Sequence, residues 1–293
     1  MMNRVRKYAL VARNWAIYRQ HDFWAKSAKA DLPSDQNSNF IVSIASYPKR
    51  IHLIPAVIES IARQRCLPKR LFLVLSIEDY PDKKLPDDIK KLQGRGLEIL
   101  WVKNNPFAVK KLMPLYEKDL GLTICTLDDD IIYAPTVTEN LVERAEKNKG
   151  SIVGCWGKSL YRRGTELSMW FRQPGPLKKD APDESIYLLG GGGIMYPPKS
   201  LDRRFLDVTA VHKYVPGRGS DIWFYAAAKA ANTRQICETS RHASRLWIPI
   251  PQNRQTQPRE RPGTEELENR FQQTVDFFGI REKLISELPN EFE

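Results

Sequence analysis

The sequence contains no apolar run that approaches the ~20 residues a membrane-spanning helix requires. Its first residues lack the apolar block and small-residue cleavage site of a signal peptide, so we expect no export by that route. The four cysteines lie far apart and form no CxxC pair, which favours a reducing cytosol over a disulfide framework. The sequence also has no internal repeat and no low-complexity tract. These absences predict a cytoplasmic protein.

The sequence is strongly basic, with 46 Lys and Arg residues against 35 Asp and Glu, a net charge of +11. This excess implies anionic partners such as nucleic acid, phosphorylated metabolites or an acidic membrane face, and composition alone does not choose among them. The chain has 293 residues, of which 42% are hydrophobic and 28% charged. It can therefore bury a substantial core, as one large domain or two small ones.

Residues 1–38 form a basic N-terminal segment with its linker. Lys and Arg alternate here with aromatic and aliphatic side chains, and the segment ends in the breaker-rich stretch "DLPSDQNSN". The composition predicts an amphipathic helix, basic on one side and aromatic on the other. Two interpretations carry equal weight. The helix lies on an anionic membrane surface, so that the protein is peripheral on the inner face, or it packs its aromatic side on the rest of the protein.

Residues 39–293 are predicted to form a single domain in which short apolar runs alternate with helical patterns. The runs predict strands at 40–45, 70–76, 97–102, 122–127 and 151–156. Nearly all-apolar strands separated by helices are typical of an α/β fold, a mostly parallel sheet covered by helices on both faces. In such sheets ligands bind at the carboxyl ends of the strands.

Three consecutive carboxylates, Asp128, Asp129 and Asp130, follow the predicted strand 122–127 at its carboxyl end. The next helix is predicted to begin at Pro135 or Thr136, too late for all three to cap it. A site for Mg²⁺ or Mn²⁺ explains them better, because hard cations take carboxylate oxygen and commonly retain substrate phosphates. A divalent cation and a diphosphate would also reconcile this acidic cluster with the basic chain.

The sequence resembles the GT-A glycosyltransferases (family 2-like), nucleotide-sugar enzymes with a Rossmann-like sheet, and within them a bacterial group associated with capsule and lipopolysaccharide assembly. The matching stretches occur in the family's order and span about residues 40 to 238. They are "IVSIASYPKRI" (41–51), "KKLMPLYE" (110–117), "TLDDDIIY" (126–133), "GGGGIMYPP" (190–198) and "SDIWF" (220–224).

The resemblance implies a nucleotide-binding half (39–156) and an acceptor half (157–293), and it assigns roles to individual residues. The residues it implies for donor binding are Ser46, Tyr47, Arg50, Lys111, Asp128, Asp129, Gly191 and Gly192. It implies Asp128, Asp130 and His242 as metal ligands for Mn²⁺ or Mg²⁺, and Asp221 as the general base that deprotonates the acceptor hydroxyl. Relatives often carry two acidic residues where this chain has Ser220 and Asp221.

Each of these motifs also has a plainer interpretation. The stretch around Ser46 reads as a turn, Lys111 as a solvated lysine, the glycines as a flexible strand and His242 as a surface residue. Ser220 or Asp221 would simply cap a helix, which is worth roughly 1 kcal/mol. Both interpretations of these residues are therefore consistent with the sequence.

The resulting functional prediction is a metal-dependent hexosyltransferase-type enzyme. It would move a sugar from a nucleotide-sugar donor to a surface polysaccharide or lipid-linked glycan. The alternatives are a nucleic-acid-binding protein, suggested by charge and seven tryptophans, and a sugar-phosphate nucleotidyltransferase. Against the first, Lys and Arg are spread along the chain and no RNA-binding signature occurs, so we expect no nucleic-acid partner. Against the second, no glycine-rich loop follows the first predicted strand.

Overall fold

The computed structural model describes residues 2–172, 177, 183–237, 246–252 and 262–291. In this part of the chain the helices are α1 (Met2–Ser27), α2 (Ile54–Ala62), α3 (Asp87–Gly94), α4 (Met113–Glu117), α5 (Val137–Lys147), α6 (Val208–Tyr214), α7 (Ser220–Ala230), α8 (Thr264–Phe277) and α9 (Arg281–Glu287). The strands are β1 (Phe40–Ala45), β2 (Leu71–Ser76), β3 (Glu98–Val102), β4 (Thr123–Leu127), β5 (Ile131–Tyr133), β6 (Ile152–Gly154), β7 (Gly157–Ser159), β8 (Arg162–Arg163), β9 (Glu166–Leu167), β10 (Ile186–Leu188), β11 (Ile194–Tyr196), β12 (Gln235–Cys237) and β13 (Trp247–Pro249).

Seven strands form one central sheet in the order β12-β6-β11-β4-β1-β2-β3. The pairs β1–β2, β1–β4, β2–β3 and β6–β12 are parallel, whereas β11 runs antiparallel to both β4 and β6. The predicted α/β fold with a mostly parallel sheet is confirmed. The antiparallel strand β11 was not predicted, because its three residues follow a run of glycines that carries no strand signal.

The inner strands of the sheet are buried on both faces, whereas the edge strand β3 is partly exposed. In β1, Phe40, Val42 and Ile44 join a core with the apolar face of α2, whereas Ile41 joins a second core with α7 and α8. Alternate side chains of a strand point to opposite faces, so an all-apolar strand requires cover on both. This explains why β1, β2 and β4 have almost no exposed residue.

The chain order reverses across β1. From β1 the chain passes to β2 and β3 on one side of the sheet and then returns to the other side as β4. At such a reversal of strand order, a crevice for a ligand is expected at the carboxyl ends of the two strands, here β1 and β4.

Helix α1 packs against α2 through one face. The guanidinium of Arg63 lies 3.9 Å from the ring centroid of Trp24, and Asn14 Nδ2 donates to the carbonyl of Pro249 at 3.1 Å. The aromatic side chains are divided between two faces. Trp24 is half-buried, but Tyr8 and Phe23 are exposed. The predicted separation into a basic and an aromatic side is therefore wrong, whereas the division of the chain at residue 38 stays a prediction.

In the part of the chain that the structure describes, no helix combines the length and the apolar character needed to cross a membrane. Helix α1 has the length for it but carries charged residues throughout.

Candidate active site

The crevice between β1 and β4 brings two of the sequence motifs into contact. Ile44 of β1 pairs with Leu127 of β4, so the residues that follow them leave the sheet side by side. Ser46 Oγ donates a hydrogen bond to Asp129 Oδ2 at 2.8 Å across this junction. The first predicted donor-binding loop and the aspartate triplet therefore form one site.

Asp129 is the most enclosed carboxylate of the triplet, with 5% of its surface exposed. Besides Ser46, it accepts a hydrogen bond from Arg50 Nη1 at 2.9 Å. Burial raises the pKa of Asp129, and the nearby Arg50 charge and the two hydrogen bonds oppose that rise. Ser46 and Arg50, which the sequence predicts as donor-binding residues, thus hold the central aspartate in place.

Asp130 shares the same guanidinium. Arg50 Nη1 lies 3.1 Å from Asp130 Oδ2, and Nη2 donates to Gln252 Oε1 at 3.0 Å. The Gln252 amide in turn donates to Asp130 Oδ2, and the Arg50 guanidinium lies 5.6 Å from the ring of Tyr47. Burial, followed by the neighbouring Asp129 charge, raises the pKa of Asp130 to about 6. One arginine is shared between two carboxylates, which leaves excess negative charge at this point.

Asp128 points away from Arg50 and pairs with Lys111. Lys111 Nζ lies 2.7 Å from Asp128 Oδ1, and the Lys111 side chain is only 5% exposed. Burial alone would lower the pKa of Lys111, but Asp128 and Asp221 raise it. The backbone N–H of Asp128 donates to the hydroxyl of the buried Tyr133 at 2.8 Å, which fixes the start of the triplet.

Asp221 joins the same cluster from the opposite wall of the crevice. It lies in the first turn of α7, whose N-cap is Gly219 with no side-chain capping hydrogen bond. Its carboxylate instead accepts the N–H of Gly190, and its pKa is raised by burial, lowered by Lys111 and raised by Asp128. Asp221 therefore does not cap α7.

The glycine run separates these charges from an aromatic wall. A Cβ atom on Gly190 would lie 2.9 Å from Lys111 Nζ and 3.0 Å from Asp221 Oδ1. On Gly192 it would lie 2.5 Å from the Trp156 Cβ atom, and on Gly191 it would lie 3.2 Å from the Trp156 ring. A side chain at Gly192 is therefore excluded, and one at Gly190 or Gly191 would displace the neighbouring side chains. Gly191 and Gly192, the two predicted residues, pack on Trp156, and it is Gly190 that contacts the charged cluster.

The two adjacent lysines of "KKL" serve different carboxylates. Lys110 Nζ lies 3.4 Å from Asp79 Oδ2 and 3.2 Å from Asn105 Oδ1, at the carboxyl end of β2, and burial lowers its pKa. Of the two lysines, Lys111 is the one that forms an ion pair with the triplet. Its role in donor binding stays a prediction.

Lys158 on β7 lies at the edge of the site. Its Nζ donates to the carbonyl of Met169 at 2.7 Å and lies 5.3 Å from the ring centroid of Trp170. Burial, reinforced by Arg172, lowers the pKa of Lys158 to about 8, although Asp221 acts in the opposite direction. No sequence motif pointed to this residue.

The site contains oxygen donors suitable for a divalent cation, but these donors do not converge on one point. Within the described ranges, no group of three or more Asp, Glu, His or Cys side chains is arranged to hold a metal ion. The donors are nevertheless hard oxygen atoms, and Asp130 and Asp128 have 20% and 31% of their side chains exposed. Within the described residues, the three carboxylates of the triplet form ion pairs only with Arg50 and Lys111, which leaves one negative charge in excess if all three are ionised. The oxygen donors and this excess charge are compatible with a divalent cation.

Other predicted or considered residues lie elsewhere. His242, with Arg241 and Arg245 beside it, lies outside the described residues. His212 is not part of the cluster, because its Nε2 pairs with the carbonyl of Asn104 at 2.9 Å.

Comparison with known proteins gives structural matches only. No protein-family model matches the sequence, and no curated protein matches it. Among solved structures, TarS (1–349) from S. aureus superposes with a TM-score of 0.45 and 14% identity, over 69% of this chain and 58% of that chain. The mannosyltransferase PcManGT from Pyrobaculum calidifontis, in complex with GDP-Man and Mn²⁺, superposes with a TM-score of 0.43 and 14% identity, over 78% of this chain and 64% of that one.

A synthetase complexed with CTP also matches. CMP:2-keto-3-deoxy-manno-octonic acid synthetase complexed with CTP superposes with a TM-score of 0.39 and 12% identity, over 68% of this chain and 89% of that chain. The chain spans less than two thirds of the length of the TarS and mannosyltransferase structures. At these levels of identity and superposition, the matches do not separate glycosyl transfer from nucleotidyl transfer.

Proposed function

We propose that this protein is a metal-dependent glycosyltransferase that moves a sugar from a nucleotide-sugar donor to a hydroxyl of a surface polysaccharide or lipid-linked glycan. The observation that carries the proposal is the arrangement around Gly190. A Cβ atom on Gly190 would lie within 4 Å of Lys111 Nζ, Asp221 Oδ1 and Asp128 Oδ1, so the three groups meet beside this backbone. A cation for a leaving group and a base for a nucleophile are thus close together at a position without a side chain, at the switch point of the sheet.

On the donor side, Ser46 and Tyr47 would contact the base or ribose. Arg50 and Lys111 would offset the negative charge of the diphosphate, as cations commonly do for phosphates. Both are paired with aspartates at present. Donor binding would therefore exchange a carboxylate–cation contact for a phosphate–cation contact, which lowers its electrostatic cost.

Asp130 and Asp128 would hold Mn²⁺ or Mg²⁺, with His242 as a further ligand. When bound, such an ion neutralises charge on the diphosphate leaving group without proton transfer. The exposed oxygen atoms of Asp130 are shared with Arg50 and Gln252. These two side chains therefore compete with a cation, and they hold Asp130 in position until one arrives.

Asp221 would act on the acceptor. The acceptor oxygen forms a bond to the anomeric carbon of the donor sugar while the bond from that carbon to the diphosphate oxygen breaks. The hydroxyl proton passes to the carboxylate of Asp221, and the nucleoside diphosphate leaves. The raised pKa of Asp221 makes this carboxylate a stronger base than an exposed aspartate.

The exposed face of α1 would bring the enzyme to an anionic membrane that holds a lipid-linked acceptor. Tyr8 and Phe23 on this face are 72% and 67% exposed, and Arg6, Lys7 and Arg13 accompany them. Exposed rings beside basic side chains suit a headgroup region rich in anionic lipid. The opposite face of α1 is packed on α2, so the helix would present this surface while attached to the domain.

The proposal is tested by measuring which nucleotides bind and which product leaves. We would record thermal shifts of the full chain with nucleoside mono-, di- and triphosphates and with nucleotide-sugars, each with and without Mn²⁺, since a ligand of the folded state raises its melting temperature. A Mn²⁺-dependent shift with one nucleotide-sugar, followed by release of its nucleoside diphosphate, supports glycosyl transfer. Pyrophosphate release from a triphosphate and a sugar phosphate would instead identify a nucleotidyltransferase. A shift with oligonucleotides alone would overturn both.

Asp130→Ala is the variant that tests the metal assignment, with Asp82→Ala as its control because the Asp82 side chain is 74% exposed. We expect the first substitution to abolish the Mn²⁺-dependent part of the shift and the second to leave it unchanged. Retention of the metal-dependent shift in Asp130→Ala would remove Asp130 from the site.

A further inference from the structure

Two tryptophans stack on each other beside the glycine run. The ring centroids of Trp156 and Trp247 are 5.5 Å apart with 25° between the ring planes. Trp156 is nevertheless 43% exposed. Within the described ranges and outside α1, it is one of only three large apolar side chains with such exposure, alongside Leu120 and Trp170. The Trp156 ring is therefore held against Trp247 at the edge of the site while part of its surface stays accessible.

The elements that position the charged cluster also position this pair. Trp156 packs directly on Gly191 and Gly192, next to the Gly190 that contacts Asp221. Trp247 lies on β13, where it pairs with Tyr133 of β5, and the Tyr133 hydroxyl accepts the N–H of Asp128. The stacked rings are therefore fixed relative to both Asp128 and Asp221.

We propose that Trp156, backed by Trp247, is a stacking surface for a sugar ring of the acceptor. A pyranose presents one face of C–H groups, whose partial positive charge complements the negative face of an indole ring. A tryptophan held by a second ring and by backbone contacts loses little conformational entropy on binding. The surface would hold an acceptor sugar close to Asp221, because Trp156 packs on Gly191 and Gly192 and the Asp221 carboxylate contacts the adjacent Gly190.

A nucleobase also stacks on indole rings. The position of Trp156 favours the sugar, because the pair lies on the Gly191–Gly192 side of the run. The proposed contacts for the base are Ser46 and Tyr47 at the end of β1, where Ser46 donates to Asp129 and the Tyr47 ring lies beside Arg50. This inference rests on the proposed function only in that it assigns the bound saccharide as the acceptor. A saccharide surface next to Asp221 would remain a saccharide surface if the donor assignment failed.

The test is saccharide binding by the full chain without any nucleotide. We would titrate maltotriose, cellotriose, chitotriose and α-mannotriose and follow saturation transfer from protein to sugar by NMR. We expect at least one of these to bind the unsubstituted chain and Trp156→Ala to weaken that binding about tenfold or more, the effect of losing one stacking partner. Trp156→Phe keeps a smaller ring and should retain part of the affinity.

Trp15→Ala is the matched control. Trp15 is 45% exposed, close to the value for Trp156, but its ring is engaged within α1 by Tyr18 and Arg19. We expect this variant to bind the saccharide as the unsubstituted chain does. If Trp156→Ala fails to fold, as judged by its thermal unfolding, Trp247→Ala and Trp156→Phe carry the comparison.

Three results would overturn the proposal: binding of none of the four saccharides, equal binding by the Trp156 and Trp15 variants, or a loss of nucleotide affinity in Trp156→Ala without a loss of saccharide affinity. The last would make the surface a base-stacking site. Saccharide binding without any nucleotide binding would leave this proposal standing and contradict the proposed glycosyl transfer, so the two failures are distinguishable.

Discussion

Lys111 Nζ lies 2.7 Å from Asp128 Oδ1, across a sequence separation of 17 residues, and the lysine is almost wholly buried. Removing only the lysine charge would leave Asp128 and Asp221 facing each other without the cation between them. We expect Lys111→Met to lower the free energy of unfolding by about 1–3 kcal/mol, because an uncompensated buried charge costs more than the pair contributes. Urea denaturation measures this loss, with Lys118→Met, at an exposed position, as the control.

The same pair can be examined by a double-mutant cycle. Asp128→Asn removes the carboxylate charge that Lys111 faces, so the combined variant Lys111→Met/Asp128→Asn should lose less stability than the sum of the single losses. Strict additivity would mean that the two side chains do not interact, whatever their distance.

Asp221 is expected to matter for turnover and not for folding. With the donor identified by the thermal-shift screen, Asp221→Asn should reduce the transfer rate by about 100-fold to 10,000-fold, the range for loss of a general base. Nucleotide binding should persist, because the amide keeps the size and the hydrogen bond of the carboxylate. Release of nucleoside diphosphate at saturating donor and acceptor measures the rate.

Ser220→Ala separates this role from helix capping. Since no side chain caps the N-terminus of α7, we expect Ser220→Ala to leave both the rate and the melting temperature nearly unchanged. Near-normal transfer by Asp221→Asn, together with a clear loss of stability, would return Asp221 to a purely structural role.

Arg50 should compete with a divalent cation for the triplet. Its guanidinium Nη1 lies 2.9 Å from Asp129 Oδ1 and 3.1 Å from Asp130 Oδ2, positions that a metal ion would otherwise use. We expect Arg50→Gln to bind Mn²⁺ several-fold more tightly than the unsubstituted chain in the absence of nucleotide. The same variant should bind the donor nucleotide more weakly, because a cation for the diphosphate is lost.

Mn²⁺ titration followed by electron paramagnetic resonance reports the first affinity directly. Lys49→Gln removes the same charge one residue earlier and serves as the control for a general change in electrostatic potential. If both variants bind Mn²⁺ with the same affinity, Arg50 does not compete with the cation for the aspartates.

Lys158 should make stability depend on pH in the alkaline range. Burial lowers its pKa to about 8 in the folded chain, whereas the unfolded chain keeps the ordinary value of 10.5. Between these values the unfolded state binds more protons, so the contribution of Lys158 to stability rises as pH increases. We therefore expect the stability of the unsubstituted chain relative to Lys158→Met to improve between about pH 7.5 and about pH 9.5.

Urea denaturation of both chains at each pH measures this difference. Lys84→Met is the control, because the Lys84 side chain is 86% exposed and lies in solvent at every pH. A stability difference between the unsubstituted chain and Lys158→Met that falls as pH rises would contradict the assigned direction of the pKa shift.

The sequence predicted the parts of the fold that burial determines. Strands such as Phe40–Ala45 and Thr123–Leu127 are covered on both faces, so they are apolar throughout and stand out from the helices around them. The short strands Gly157–Ser159 and Trp247–Pro249 carry no such pattern, because three residues are too few to establish a period. Their partners lie far away in the chain, and only the folded chain reveals the pairing.

The site residues that belong to contiguous motifs were predictable from the sequence. Those that reach the site from distant parts of the chain were not. The aspartate triplet and Lys111 occur in readable stretches, and the structure brings them together as expected. Gln252, which donates to Asp130 from 122 residues away, has no local signal. Gly190 lies inside the recognised glycine run, but the prediction named Gly191 and Gly192. Only the structure shows that Gly190 is the glycine that faces the charged cluster.

Helix α1 is expected to bind anionic membranes through its exposed face. Tyr8 and Phe23 are among the most exposed large apolar side chains described, and basic residues lie between them along the helix. Vesicle flotation should therefore recover the protein with vesicles that contain phosphatidylglycerol but not with phosphatidylcholine alone, and recovery should fall as salt increases, because salt screens the attraction. The combined variant Tyr8→Ser/Phe23→Ser should lose most of this recovery, since the rings no longer enter the interface.

Leu120→Ser controls for the loss of exposed apolar surface, because Leu120 is 39% exposed and lies outside α1. It should float as the unsubstituted chain does. Equal recovery of all three proteins on anionic vesicles would mean that the rings of α1 take no part and that the basic surface acts through charge alone. Recovery on neutral vesicles at high salt would contradict the electrostatic contribution. No recovery on vesicles of either kind would limit the role of α1 to its packing on α2.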